Sequence, residues 1–162
     1  MNINTIGAII KKRRESCGLT QAALAAASHV SRVTVANLEN GKSGDIGVIK
    51  LSEIAENVGA PLFSLEGGSM DFIKINLGNV NTSYKTTMTR PYLEEFMRTG
   101  VVQPGFEGQI LHFIDETPIS MITGAVRQFA DTNHVKAKLV WKTLSRVAKE
   151  IKSPNKFWSC FE

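Results

Sequence analysis

The stretch that decides the fold is residues 19–42, LTQAALAAASHVSRVTVANLENGK. Thr20 is a good N-cap for a short helix over residues 21–27, and the alanines that follow favour the helical state. Ser28-His29-Val30 breaks that helix. Ser31 caps a second helix, which runs to Asn40 and is ended by Asn40-Gly41. Leu24, Val30, Val35 and Leu38 fall where two crossing helices need apolar contacts, and Ala25 is small where they approach closely. The spacing predicts a helix pair joined by a tight turn, with the second helix standing clear of the body.

The flanking residues extend this frame. Ile6, Ile9, Ile10 and Leu19 mark the apolar side of a first helix, Lys11, Lys12, Arg13 and Arg14 crowd its exposed side, and Gly18 stops it. A fourth helix over residues 48–58 places Leu51, Ile54, Ala55 and Val58 on one face. Gly59-Ala60-Pro61 closes it, and residues 62–65 are expected to dock back as a short helical turn. Glu66-Gly67-Gly68-Ser69 has the composition of a hinge. The chain is therefore divided into a domain over residues 1–66, a linker at 67–70 and a second domain over 71–162.

The second part reads less regularly. Phe72, Ile73, Ile75 and Leu77 predict a strand over residues 71–77, and residues 79–88 a second, more polar one. Thr89 caps a helix with Pro91 in its first turn and Gly100 at its end. Residues 109–114 read as helix in preference to strand. Thr117-Pro118 opens a helix to residue 130, Asp131-Thr132-Asn133 breaks it, and a last helix covers residues 134–152. The aromatic tail, with Phe157, Trp158 and Phe161, is expected to strap over the core. The fold class expected is mainly α: five helices at the N-terminus, then a smaller α+β domain of short strands followed by helices. No internal repeat is seen.

At 162 residues and 43% hydrophobic, the chain is long enough for one ordinary domain or two small ones with a real core. No apolar run reaches the roughly 18 residues that a membrane span needs, and the N-terminus does not read as a secretory signal. Cys17 and Cys160 lie far apart and, with three scattered histidines, give no zinc spacing. Idle thiols in a reducing, cytoplasmic setting are expected, with no metal and no cofactor. The net charge of +4 suits a nucleic-acid partner without requiring one. Residues 1–66 hold seven Lys/Arg against six Asp/Glu, and residues 67–162 hold twelve against nine.

Residues 19–42 resemble the helix-turn-helix of phage-repressor-like, Xre-type regulators. The likeness is carried by the LTQ-A-x-LA opening at residues 19–25, the LENGK closing at 38–42 and the five-helix frame over about residues 5–65. It implies a lambda-repressor-like domain that binds double-stranded DNA. By position, Thr20 and Gln21 would touch phosphates. Ser31 would sit at the helix entry, and Arg32, Val33 and Asn37 would face base edges. Thr34, Asn40 and Lys42 would reach the sugar-phosphate backbone. The chemistry agrees: arginine forks onto guanine, asparagine pairs with adenine, and a short apolar side chain suits a thymine methyl. Arg14 and Glu39 match positions that pair across the first and third helices in this family. Two departures stand out. His29 occupies a turn position where the family often has glycine, and the loop at residues 43–47 lacks an arginine that some relatives insert into the minor groove.

The last helix carries Ala137, Val140, Trp141, Leu144, Val147, Ala148 and Ile151 on one side, with Lys138, Lys142, Arg146, Lys149 and Lys152 opposite. The basic side is either the solvated face of a core-packed helix or a ridge for DNA phosphates or an acidic partner. Residues 118–152 also resemble a second helix-turn-helix, without matched capping and spacing signals.

These readings lead to an autoregulating repressor that binds a palindromic operator as a homodimer. The strand at 71–77 would pair either with its copy in a second subunit or with residues 79–88. One alternative is an antitoxin that represses its own operon and holds a cognate toxin through residues 71–162. Another is a ligand-sensing regulator. An enzyme is not expected: His112, Asp115 and Glu116 lie close in sequence, but no nucleophile–base pair, metal spacing or phosphate loop accompanies them.

Overall fold

The structure, a computed structural model, describes residues 3–43, 46–60 and 70–161. Nine α-helices occur among these residues: α1 (Ile3–Ser16), α2 (Gln21–Ala27), α3 (Arg32–Glu39), α4 (Val48–Glu56), α5 (Phe72–Asn81), α6 (Arg90–Thr99), α7 (Glu107–Leu111), α8 (Ile119–Asn133) and α9 (Ala137–Glu150). A π-turn (His112–Glu116) continues α7, and a 3-10 turn (Lys156–Phe161) follows α9. The docking turn expected at 62–65 and the hinge at 66–69 lie outside the described residues.

The caps at the decisive stretch form as the residue types dictate. Thr20 Oγ1 accepts from the Ala23 amide at 3.0 Å, and Ser31 Oγ accepts from the Thr34 amide at 3.0 Å. Val35 and Leu38 are fully buried under α3, and Leu24 under α2. Gly7 lets α1 cross α3 closely: a Cβ there would lie 2.0 Å from the Leu38 carbonyl oxygen. Gly7→Ala is therefore expected to destabilise by about 1–3 kcal/mol through overpacking, against the ~1 kcal/mol that alanine's helix propensity would add. A midpoint of thermal unfolding equal to or above wild type would show that α3 yields at this crossing.

The α+β reading of the second half is overturned: every regular element among the described residues is helical, and no strand occurs. Residues 71–77 belong to α5. Ile73, Asn76 and Val80 are the buried positions, at helical spacing, whereas Ile75 is 39% exposed. The run of apolar residues imitated a strand, but Asp71 is an N-cap whose carboxylate accepts from the Lys74 amide at 3.0 Å. The side chain of Gln128 serves the same helix end: Oε1 accepts from the Ile73 amide and Nε2 donates to Asp71. The expected second strand, 79–88, completes α5 and then turns. Asn81 clasps Met88 with its amide, donating to the carbonyl at 2.9 Å and accepting from the N–H at 2.7 Å. One side chain thus supplies the two-way pairing that a partner strand would have given. Strand pairing at 71–77, within the chain or between subunits, falls with it.

The expected break at 131–133 is also displaced. α8 continues through Asn133 and ends at His134, which is left-handed with φ 55°. α6 ends as expected at left-handed Gly100, φ 71°.

The core is continuous from Ile10 in α1 to Phe161 in the C-terminal turn. Trp141 of α9 is fully buried at its centre, against Phe157, Trp158 and Phe161. The tail is thus a strap. The Trp158 indole donates to the Ile114 carbonyl at 3.2 Å, and Ser145 Oγ donates to the Trp158 carbonyl at 2.7 Å. The strap packs on α9 on one side and on α2 on the other. The Trp141 indole N–H donates to the Cys17 carbonyl at 2.8 Å, so α9 is fastened to the end of α1.

Candidate nucleic-acid interface

The turn between α2 and α3 is built around a left-handed residue. His29 has φ 52°, a conformation that histidine tolerates better than most non-glycine residues. The Val30 amide then donates back to Ala25 at 3.0 Å. Asn57, at the end of α4, holds the turn from behind. Its Nδ2 donates to the Ala27 carbonyl and the Ser28 hydroxyl, each at 3.2 Å, and to Glu53 at 2.9 Å. Asn57 and Gly7 are absent from the residues singled out in the sequence. A glycine inside an amphipathic helix is the signal that could have pointed to Gly7. Asn57 reads only as a helix-end residue beside Gly59.

α3 is fastened at its other end by a buried ion pair. Arg14 Nε donates to Glu39 Oε1 at 2.6 Å and Arg14 Nη2 to Oε2 at 3.0 Å, a two-pronged contact. Arg14 Nη1 reaches the Leu19 carbonyl at 2.9 Å. Gln21 Nε2 also donates to Glu39 Oε2, at 2.9 Å. The side chain placed on phosphates by resemblance is thus engaged with Glu39 here. Burial pushes the Glu39 carboxyl up, but the hydrogen bonds from Arg14 and Gln21 and the charge of Arg14 outweigh it and hold it below the usual carboxylate range.

With its inner face held, α3 presents Ser31, Arg32, Val33, Asn37 and Asn40 to solvent, and Lys42 follows, exposed. Val33 is 66% exposed. Thr34 is half-buried, its hydroxyl 2.8 Å from Ser31 Oγ, and Thr20 is an exposed cap. A concavity of about 840 Å³ lies between α3 and the start of α4, lined by Thr34, Asn37, Ile46, Val48, Ile49 and Lys50. Arg32, Val33 and Asn37 therefore share an accessible face on the first turns of one rigid helix. Such a helix fits the major groove, which is about 12 Å wide.

The other chemistry-bearing residues are placed apart from this face. His112 Nδ1 lies 3.1 Å from Glu116 Oε2, and the Ser153 hydroxyl donates to Asp115. No cluster suited to a metal ion occurs among the described residues, and no helix among them is long and apolar enough to cross a membrane. On α9, Lys138, Lys142, Arg146 and Lys149 are all exposed. Arg146 is engaged: Nη1 donates to Glu150 and Nη2 to the Thr99 carbonyl, capping α6.

Residues 10–64, about a third of the chain, match the family model described as Helix-turn-helix. No curated protein and no solved structure matches the chain.

Proposed function

From the Xre-type helix-turn-helix DNA-binding domain at residues 10–64, we propose that this transcription regulator is a sequence-specific repressor. It acts in the cytoplasm as a homodimer on a palindromic operator and works by occupancy, with no chemistry. The observation that carries this reading is the exposed trio Arg32, Val33 and Asn37 on a helix locked from behind by Arg14, Gln21 and Glu39. A helix so held keeps its side chains in register with base edges and spends little entropy on ordering when it binds. Two copies are needed because half-sites are read about 34 Å apart, one per subunit.

Arg32 is assigned to a guanine, Asn37 to a neighbouring adenine and Val33 to a thymine methyl. Selection from a random duplex pool by the full chain should return an inverted repeat whose half-site holds a guanine beside an A·T pair. Arg32→Ala and Asn37→Ala should each lose about 1–3 kcal/mol of discrimination at one base position. Unchanged affinity and unchanged base preference in Arg32→Ala would overturn the assignment. A transcription assay on the selected operator, with sedimentation of the protein–DNA complex, tests repression and the two-to-one stoichiometry.

A further inference from the structure

We propose that α8 and α9 form a second duplex-contacting unit, which grips phosphates flanking the half-site through Lys136, Lys138 and Lys142; the proposal rests on the DNA-reading role of α3. Its basis is a repeated local structure. His29 and His134 are both left-handed, at φ 52° and 55°. The next amide, of Val30 or Val135, donates back to Ala25 or Ala130 at 3.0 and 3.1 Å. α3 starts at Arg32 and α9 at Ala137, the same distance beyond the histidine in each case.

The correspondence extends to six further positions at the same offset in sequence. Buried Leu24, Ala25 and Val35 match buried Phe129, Ala130 and Val140. Exposed Ser31, Val33 and Asn37 match exposed Lys136, Lys138 and Lys142. The α8–α9 corner therefore has the turn and part of the in–out pattern of α2–α3, with lysine where α3 has its cap and two of its exposed residues, whereas exposed Asn40 has buried Ser145 as its counterpart. Arg32, the guanine-reading residue, has buried Ala137 as its counterpart. The second unit thus lacks an arginine fork and offers point charges on flexible stems, which suit phosphates and not base edges.

Its position favours the same duplex. A Cβ on Gly18 would lie 2.7 Å from the Lys138 amide nitrogen. The first turn of α9 is thus seated on the corner from which Thr20 and Gln21 enter α2. Trp141, one turn further on, bonds to Cys17 in that corner. On the phosphate-contacting role that the resemblance gives Thr20, lysines at this place would extend that contact outward from the half-site. Among the described residues, no acidic side chain forms an ion pair with Lys136, Lys138 or Lys142.

The test uses the full chain and an inverted repeat selected from random duplexes, either trimmed to the two half-sites or extended by about one helical turn on each side. Lys136→Gln/Lys138→Gln/Lys142→Gln should bind the extended duplex on the order of 10–100-fold more weakly near physiological salt. The slope of log affinity against log salt should fall by about 3, roughly 1 per lysine. Base preference, thermal unfolding and binding to the trimmed duplex should match wild type, and the triple Lys→Arg variant should retain the wild-type slope. A triple Gln variant with wild-type slope and affinity on the extended duplex overturns the proposal while leaving α3 as the reader. Failure of α3 reads differently: Arg32→Ala would keep base preference. Absence of any duplex binding by wild type would overturn both.

Discussion

Replacing Arg14 with alanine is expected to destabilise the protein by about 3–5 kcal/mol near neutral pH, because it strands a buried carboxylate. The Glu39 side chain is 1% exposed and accepts from two groups, Arg14 and Gln21. Gln21 alone cannot offset the desolvation of a full charge. The cost is specific to breaking the pair: Arg14→Met with Glu39→Leu should fall much nearer to wild type, since a buried ion pair gains little over apolar residues of similar volume. The pH dependence identifies the culprit. In the wild type the folded Glu39 carboxyl is held below its unfolded value. Its contribution is therefore fully present above about pH 4.3 and is lost as pH falls through the folded value. In Arg14→Ala the burial remains and the guanidinium does not, so the folded carboxyl rises and accepts a proton more readily. The gap between variant and wild type should begin to narrow above about pH 4.5, as the variant's raised carboxyl takes up its proton, and narrow further below it as the wild-type pair is lost. Urea unfolding at pH 7 and pH 4 measures it. A gap of the same size at both values would mean that Glu39 is not the stranded charge.

The helices around α3 were legible because their signals are local. Thr20 and Ser31 each cap within three residues, and Leu24, Val35 and Leu38 sit at helical spacing. Arg32, Val33 and Asn37 were singled out by the family resemblance, and all three are exposed on α3. Asn57 was not legible, since its partners Ala27 and Ser28 lie about thirty residues away and only the fold brings them together. α5 was misread for a related reason. Residues 72, 73, 75 and 77 alternate well enough to imitate a strand, while the deciding contacts come from Gln128, far along the chain. Phe72 is oriented by the same neighbour helix: Gly124 of α8 lets its ring approach so closely that a Cβ there would lie 2.3 Å away. A short apolar run cannot be sorted into strand or helix by periodicity alone, and tertiary partners settle it. The aromatic tail shows the opposite case. Three large rings within five residues are costly to leave in water, so a strap was the expected outcome, although its seat on α2 was not visible in the sequence.

That seat makes Trp141 the residue whose loss should be felt across both halves. Trp141→Ala is expected to cost about 3–5 kcal/mol, the usual penalty for removing a buried aromatic side chain and leaving its cavity. The ring is fully buried, stacked on Phe161 at 5.3 Å and edge-on to Phe157 at 5.5 Å, and its N–H satisfies the Cys17 carbonyl at the end of α1. Against a typical net stability of about 5–15 kcal/mol, the loss is a large share. Trp141→Phe separates the two contributions. It keeps most of the packing and strands the buried Cys17 carbonyl without its donor, at a cost of about 1–3 kcal/mol. The phenylalanine variant should therefore fold, with α9 less firmly seated on the Cys17–Gly18 corner. If that seat places Lys138 beside α2, the variant should also lose part of the salt dependence of DNA binding while keeping its base preference. Unfolding in urea gives the first quantity and a salt titration on the extended duplex the second. A Trp141→Ala variant that loses less than about 1 kcal/mol would show that the core closes without this side chain.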